Sequence, residues 1–288
     1  MRIATWNVNS IRTRLGRVLA FLERHDIDVL AMQEIKCRVD QFPADAFKTA
    51  GYEVFVNGKN QWNGVAIAVR TGIKAHLLGM QFTGEIPQPE FGEPPALEPR
   101  VIGVRADGIE CWSLYVPNGR ELDDPHFRYK LDWLDSLRSH VVSLLETDPK
   151  ALGLFMGDFN VAPRDEDVWD MAEFEGATHV SVPEREAFAR LLAPGTLPEA
   201  VTLSLEQLNE IGTGSTKPAG LFEVTRASAP GWTYWDYQKA RWRRDQGMKI
   251  DFALATPALA PKIQKALIDK EERDGEKPSD HAPVILDF

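Results

Sequence analysis

Leu152-Gly153-Leu154-Phe155-Met156-Gly157-Asp158-Phe159-Asn160 is an apolar run that ends in a glycine, with a carboxylate and a carboxamide following two residues apart. Short, apolar and bounded by turn formers, it reads as a buried strand. Gly157 allows a close backbone approach that a side chain would obstruct. Asp158 and Asn160 then stand at a strand end, where α/β sheets place ligand-binding groups. Strand alternation points both to one side. Such a pair suits a hard cation, a water or a phosphate oxygen. Taken alone it reads more readily as a turn.

The same pattern recurs outward from this stretch. Residues 2–7 (RIATWN) read as a strand. Ser10 is placed to cap a helix whose apolar positions are Ile11, Leu15, Val18, Leu19 and Leu22. Residues 27–32 (IDVLAM) form the next strand, ending in Gln33-Glu34. This spacing suggests a strand-helix-strand crossover and an α/β class. Asn63-Gly64 turns into a strand over residues 65–69, and residues 101–104 and 109–116 pair through Asp107-Gly108. The second of these ends in Tyr115-Val116-Pro117-Asn118-Gly119. An amphipathic helix spans residues 126–146, and Ser181-Val182-Pro183-Glu184 is a capping box opening another. Residues 248–254 read as a strand with Asp251 inside it. The chain then closes on Pro278-Ser279-Asp280-His281-Ala282-Pro283 and a last strand at 284–286. Residues 87–99 read as an exposed loop and residues 203–228 carry the weakest pattern; within them Gly212-Thr213-Gly214-Ser215-Thr216-Lys217 reads as a loop and does not match a phosphate-binding loop.

With 288 residues, 43% hydrophobic and 26% charged, the chain has the composition of a soluble globular protein with a large core. Its formal charge of -10 argues against a protein that coats nucleic acid, although a local basic face would still suffice for an enzyme. Cys37 and Cys111 form no CxxC and read as small core residues, which argues against a structural disulfide or a zinc site and fits a reducing cytoplasm. No signal peptide and no membrane span are expected.

The polar residues that end or interrupt apolar strands are Asn7, Glu34, Tyr115, Asp158, Asn160, Asp251, Asp280 and His281. An acid inside an apolar run, such as Asp251, is costly to bury unless paired, and His281 is its obvious partner. Oxygen ligands with one histidine and no cysteine suit Mg²⁺ or Mn²⁺ better than zinc. Glu34 is the first choice of ligand, with Asn7 and Asp280 near it. The set suits in-line attack of water on a phosphodiester. Each residue taken singly also reads as a turn, a core aromatic or a structural ion pair.

Eight ordered motifs carry a resemblance. They are Ile3-Ala4-Thr5-Trp6-Asn7-Val8-Asn9, Gln33-Glu34, Asn63-Gly64-Val65-Ala66, Tyr115-Val116-Pro117-Asn118-Gly119, Gly157-Asp158-Phe159-Asn160, Trp235-Asp236-Tyr237, Lys249-Ile250-Asp251 and Ser279-Asp280-His281. Together they resemble the exonuclease III family of apurinic/apyrimidinic endonucleases, within the endonuclease/exonuclease/phosphatase superfamily. The resemblance implies one domain over residues 1–288, a four-layered α/β sandwich of two packed mixed sheets flanked by helices. It implies a monomer acting on double-stranded DNA with abasic sites or 3′ ends. Glu34, Asn7 and Asp280 are then the metal site. Asp158 activates the attacking water or serves the leaving oxygen, with Asn160 fixing that group. His281, oriented by Asp251, is a phosphate ligand, with a base role as the competing assignment; Tyr115 contacts the phosphate or leaving group. Asn9 and Asn118 are implied as substrate contacts, and Tyr234, Met248 and Ile250 would line a pocket for a flipped baseless sugar. Lys239, Arg241, Arg243 and Arg244 read equally as DNA-backbone contacts, with Trp242 able to pack on sugar or base, or as a solvated charged loop. Residues 82–98 and 203–228 depart from the family pattern. Two other readings stay open: a nonspecific deoxyribonuclease or a phosphatase of the same superfamily, and a non-catalytic DNA-binding module.

Overall fold

The computed structural model describes residues 1–83, 88, 97–194 and 219–288. Two six-stranded sheets carry the fold. In chain order the elements are β1 (Arg2–Asn7), α1 (Ile11–Arg24), β2 (Val29–Gln33), α2 (Ala44–Thr49), β3 (Tyr52–Asn57), β4 (Val65–Arg70), β5 (Ala75–Gly79), β6 (Val101–Ala106) and β7 (Ile109–Tyr115). They continue with α3 (Pro125–Thr147), β8 (Gly153–Asp158), α4 (Val182–Ala189), β9 (Phe222–Glu223), β10 (Asp251–Ala255), β11 (Lys265–Ile268) and β12 (Val284–Asp287). The strand orders are β11-β12-β1-β2-β4-β3 and β5-β6-β7-β8-β10-β9.

Both sheets share one pairing pattern. The central pair is parallel, β1 with β2 and β7 with β8, and the other pairings are antiparallel. Each parallel pair is joined by a helix, α1 in one sheet and α3 in the other, as a parallel connection requires. The chain therefore places two copies of one crossover unit face to face.

Alternation along the strands builds four layers. Ile3, Val29 and Ile67 of one sheet meet Val104, Leu154 and Met156 of the other in a shared central core. Ala4, Trp6 and Leu30 face outward under Val18, Phe21 and Leu22 of α1. Leu114, Phe155 and Phe252 face outward under Leu134, Leu137 and Val141 of α3. Buried on both faces, β8 is apolar up to its last residue, Asp158, as a covered parallel strand should be. Burial of one such large side chain stabilises the fold by about 1.5–3 kcal/mol.

The sequence differs from the structure at several points. Ser10 has φ 89 and makes no side-chain cap bond; its Oγ meets Thr13 Oγ1 at 3.1 Å instead. Asp251 opens β10 rather than lying inside it. The strands β3, β5, β9 and β11 and the helix α2 carry weak patterns and were not anticipated. β5 alternates poorly because its residues are half-buried or exposed, and β9 has only two residues. The Gly212–Lys217 run and most of the 87–99 loop lie outside the described residues. Cys37 and Cys111 are buried and free. Among the described residues, no helix is long and apolar enough to cross a membrane.

Candidate active site

The topology brings one edge of each sheet together. β1 ends at Asn7, paired with Gln33 at the end of β2. β7 ends at Tyr115, paired with Asp158 at the end of β8, and Asp158 pairs with Asp251 at the start of β10. His281 precedes β12, which runs antiparallel to β1 and so begins at the same edge. Residues spread over the whole chain thus meet at one place.

The centre is the Asn7 amide. Its Nδ2 donates to Glu34 Oε1 and to Asp158 Oδ2, both at 2.9 Å, while its Oδ1 accepts from Asn9 N at 3.1 Å. Asn7 was expected as a metal ligand. Its nitrogen rather than its oxygen faces the acids, because two carboxylates offer only acceptors and need a donor between them. Lys36 Nζ lies 2.7 Å from Glu34 Oε2 and donates to Asn9 Oδ1 at 2.5 Å. Asn9 Nδ2 donates in turn to Asp280 Oδ1 at 3.0 Å. Burial works against Glu34 ionising, but Lys36 and Asn7 overcome it and hold its carboxyl below the usual range.

On the other side, His281 Nδ1 lies 2.8 Å from Asp251 Oδ2 and its Nε2 lies 3.7 Å from Asp158 Oδ2. Burial disfavours the imidazolium, yet Asp251 and Asp158 together raise the His281 pKa to about 10. Burial, with Asp251 and Glu34 nearby, pushes Asp158 up to about 7, against the pull of His281. Asp158 Oδ1 accepts from Asn160 N at 2.9 Å. Asn160 Nδ2 donates to Val116 O at 2.9 Å, and its Oδ1 accepts from Asn118 Nδ2 at 3.2 Å. Burial and the Glu34 charge hold the Tyr115 phenol protonated, far above its ordinary pKa, and Arg100 sits over its ring at 4.5 Å.

Several of these residues take unusual backbone conformations. Asn9, Glu34, Lys36 and Asn160 have φ of 41, 50, 50 and 50°. Such strain gathers at functional sites, where the surrounding structure holds it in place.

Residues 4–281 match the model of the Endonuclease/Exonuclease/phosphatase family. The chain belongs to that family. It is similar to an exodeoxyribonuclease of Bacillus subtilis, 25% identical over 99% of this chain and 98% of the relative. A solved AP endonuclease from Archaeoglobus fulgidus superposes with a TM-score of 0.80 at 30% identity, over 100% of this chain and 99% of that one. A 3′ phosphatase from Neisseria, solved bound to product DNA hairpin, superposes with a TM-score of 0.78 at 32% identity, again over 100% and 99%. The four-layered sandwich and an exonuclease III-type nuclease are therefore shown.

Within this family fold, Glu34, Asp158 and His281 each bring a ligating atom within 4.8 Å of the others. The donor set is oxygen-rich, with one imidazole and no thiolate, which fits a hard divalent cation. Three acids, Glu34, Asp158 and Asp251, crowd one edge, and a cation would offset their repulsion. Asp280 is not one of that group and is held by Asn9 instead.

Other expected residues fall less centrally. Met248 and Ile250 are 8% and 2% exposed and pack with Ala162, Val168 and Val180, with Tyr234 partly buried against them. Lys239, Arg243 and Arg244 are exposed. Arg241 packs over Trp169 at 4.6 Å and bonds Gln246 Oε1 at 2.8 Å. Trp242 is half-buried, its Nε1 donating to Asp274 Oδ1 at 2.7 Å and its ring T-shaped against Trp235 at 4.8 Å.

Three residues were missed. His179 Nε2 lies 3.1 Å from Asn160 Oδ1 and 3.2 Å from Asn118 Nδ2, and burial lowers its pKa to about 4. Nothing in the sequence marks it. Lys130 and Glu184 form a buried ion pair beneath these loops. Lys130 was visible as a cation between Phe127, Leu131 and Leu134 on the apolar side of α3.

Proposed function

We propose that the protein is a divalent-metal-dependent DNA repair nuclease that hydrolyses the phosphodiester 5′ to abasic sites in duplex DNA and trims 3′ ends. The observation that carries this reading is the Asn7 amide, which joins Glu34 from one crossover unit to Asp158 from the other. A phosphate seated there meets an acid on each side.

Asp158, raised to about 7, is poised to take a proton from water near neutral pH. The Asn160 backbone N–H, 2.9 Å from Asp158 Oδ1, fixes the direction of that carboxylate. His281 is an imidazolium backed by Asp251 and offers Nε2–H to a phosphate oxygen, a donor role rather than that of a base. Tyr115, held protonated, is a second donor. Glu34 would hold the cation, Mg²⁺ or Mn²⁺, with Asn7 orienting its carboxylate. Bound there, such an ion supplies charge neutralisation at the phosphate. The exposed Lys239, Arg243 and Arg244 would contact the DNA backbone at the rim. The expected results are that Glu34→Ala and Asp158→Asn abolish cleavage of duplex DNA with Mg²⁺ while leaving the circular dichroism spectrum unchanged. Near-normal turnover by either variant overturns the assignment.

One observation favours 3′ ends as the better substrate. An abasic sugar within a strand needs a pocket beside the scissile phosphate, but Met248 and Ile250 are packed shut and the His179 ring stands against Asn160 and Asn118. A terminal nucleotide has no strand continuing on its 3′ side and so need not be extruded into a closed pocket. His179 has φ 76, so glycine is tolerated there without strain. His179→Gly is expected to raise abasic incision relative to removal of a 3′-terminal nucleotide. An unchanged ratio would count against this preference.

A further inference from the structure

Lys130 and Glu184 have no exposed side-chain surface, and their ion pair touches no solvent. Removing two charges from water is expensive, and a well-packed apolar pair of similar volume is often as stabilising or more so. A pair kept for the fold alone would therefore be easily replaced. The bonds this pair makes point elsewhere. Lys130 Nζ donates to Asn160 O at 2.6 Å, to Asn118 O at 3.1 Å and to Glu184 Oε1. Its three N–H groups have one partner each. Glu184 Oε1 also accepts from His179 N at 2.8 Å, and Oε2 accepts from Ser181 N at 3.2 Å and from Ser181 Oγ.

The pair thus grips the backbone of four residues: Asn118 in the connection after β7, and Asn160, His179 and Ser181 at the two ends of the connection from β8 to α4. The Asn118 and His179 side chains converge on one atom, Asn160 Oδ1, with Asn118 Nδ2 at 3.2 Å and His179 Nε2 at 3.1 Å. The Asn160 N–H in turn holds Asp158 Oδ1 at 2.9 Å. The loop after β7 wraps the lysine closely: Gly119 has φ +93, and a Cβ there would lie 3.1 Å from Lys130 Cδ. The lysine stem therefore fills the space that a side chain at position 119 would need.

We infer that the buried Lys130–Glu184 pair is a positioning device, which fixes Asn118, Asn160 and His179 and through Asn160 aims the Asp158 carboxylate. It touches no substrate and acts only through the groups it holds. The inference rests on the hydrolytic reading of this site. Displacing a catalytic group by about 1 Å costs roughly 10²-fold in rate, while the exposed Lys239, Arg243 and Arg244 at the rim are untouched, so the signature is a fall in kcat much larger than any change in KM.

The test removes both charges together, as Lys130→Met with Glu184→Gln, because a single change would leave the other charge buried and alone. Three quantities are read: the thermal midpoint, kcat and KM on duplex DNA with Mg²⁺, and the side-chain amide resonances of Asn118 and Asn160 in the ¹⁵N-labelled, substrate-free protein. The expected result is a folded variant whose kcat falls about 10²-fold, with KM little changed and both amide resonances moved. Unmoved resonances, or kcat retained at the wild-type value, overturn the inference. If the double variant does not fold, Lys130→Arg keeps the charge but presents a planar fork to carbonyls fitted to an ammonium, and the same readouts apply to it. Failure of the wild-type protein to cleave DNA would instead refute the proposed function, and the resonances would still decide on the pair.

Discussion

Gly157→Ala tests how the fold aims its catalytic edge. Gly157 has φ +148, and a Cβ there would lie 2.0 Å from Leu114 O and 2.9 Å from Leu114 C. Contacts under 3.0 Å are essentially never made by real Cβ atoms, so β7 and β8 would have to part by about 1 Å, the difference between 3.0 and 2.0. Forcing alanine into that backbone conformation costs about 1–3 kcal/mol. Weakening the neighbouring ladder bonds adds roughly 1 kcal/mol each. The sum is on the order of 3–5 kcal/mol, a large part of the 5–15 kcal/mol that typically separates folded from unfolded. The strain falls one residue from the Tyr115–Asp158 pair, so catalysis suffers as well, by about 10²-fold for a shift of this size. Urea unfolding followed by tryptophan fluorescence, with kcat measured at saturating DNA, reads both effects. An unfolding midpoint equal to wild type with kcat within twofold would refute the reasoning.

Further outcomes follow from the same geometry. Chelation with EDTA abolishes cleavage and added Mg²⁺ restores it; full activity in EDTA would remove the role given to Glu34. Asp251→Asn takes away the carboxylate 2.8 Å from His281 Nδ1, and kcat is expected to fall by about 10²-fold or more; a change under fivefold would show that His281 needs no such partner. Stability should also fall in mild acid through His140. Burial lowers its pKa to about 4 from the ordinary 6.5, so the unfolded chain takes up a proton that the folded protein refuses. That contribution is complete above pH 6.5 and is lost progressively as pH falls toward 4, by roughly 3 kcal/mol in all. His140→Gln should flatten the stability profile across this window, and a slope equal to wild type would point to other groups.

The layered fold was legible because its central strands are strongly patterned. β1, β2, β4, β7 and β8 are apolar runs ending in polar residues, and α1 and α3 repeat at helical spacing. The edge strands β3 and β5 were not legible, since a half-exposed strand carries little pattern, and β9 has two residues. Glu34, Asp158 and His281 could be singled out because each follows or breaks an apolar run. Asn7 could be placed but not given its role, since whether an amide offers nitrogen or oxygen depends on its neighbours in space. His179 sits in an irregular loop and owes its position to Glu184 and Asn160, contacts that no local spacing encodes. Glu184 was legible only as the acid of a capping box, and Lys130 as a cation on an apolar helix face. Such a residue must find buried acceptors, and those acceptors turned out to be the loops of the site.

The central claim is that the edge where the two sheets meet hydrolyses a phosphoester of DNA. Product analysis on a duplex labelled at its 5′ end and carrying one abasic site tests it most directly, with Mg²⁺ present and Asp158→Asn as the control. The account predicts a discrete cut immediately 5′ to the abasic site leaving a 3′-hydroxyl, shortening from the 3′ end, and neither product with the variant. An intact duplex after prolonged incubation, or equal cleavage by Asp158→Asn, would contradict it.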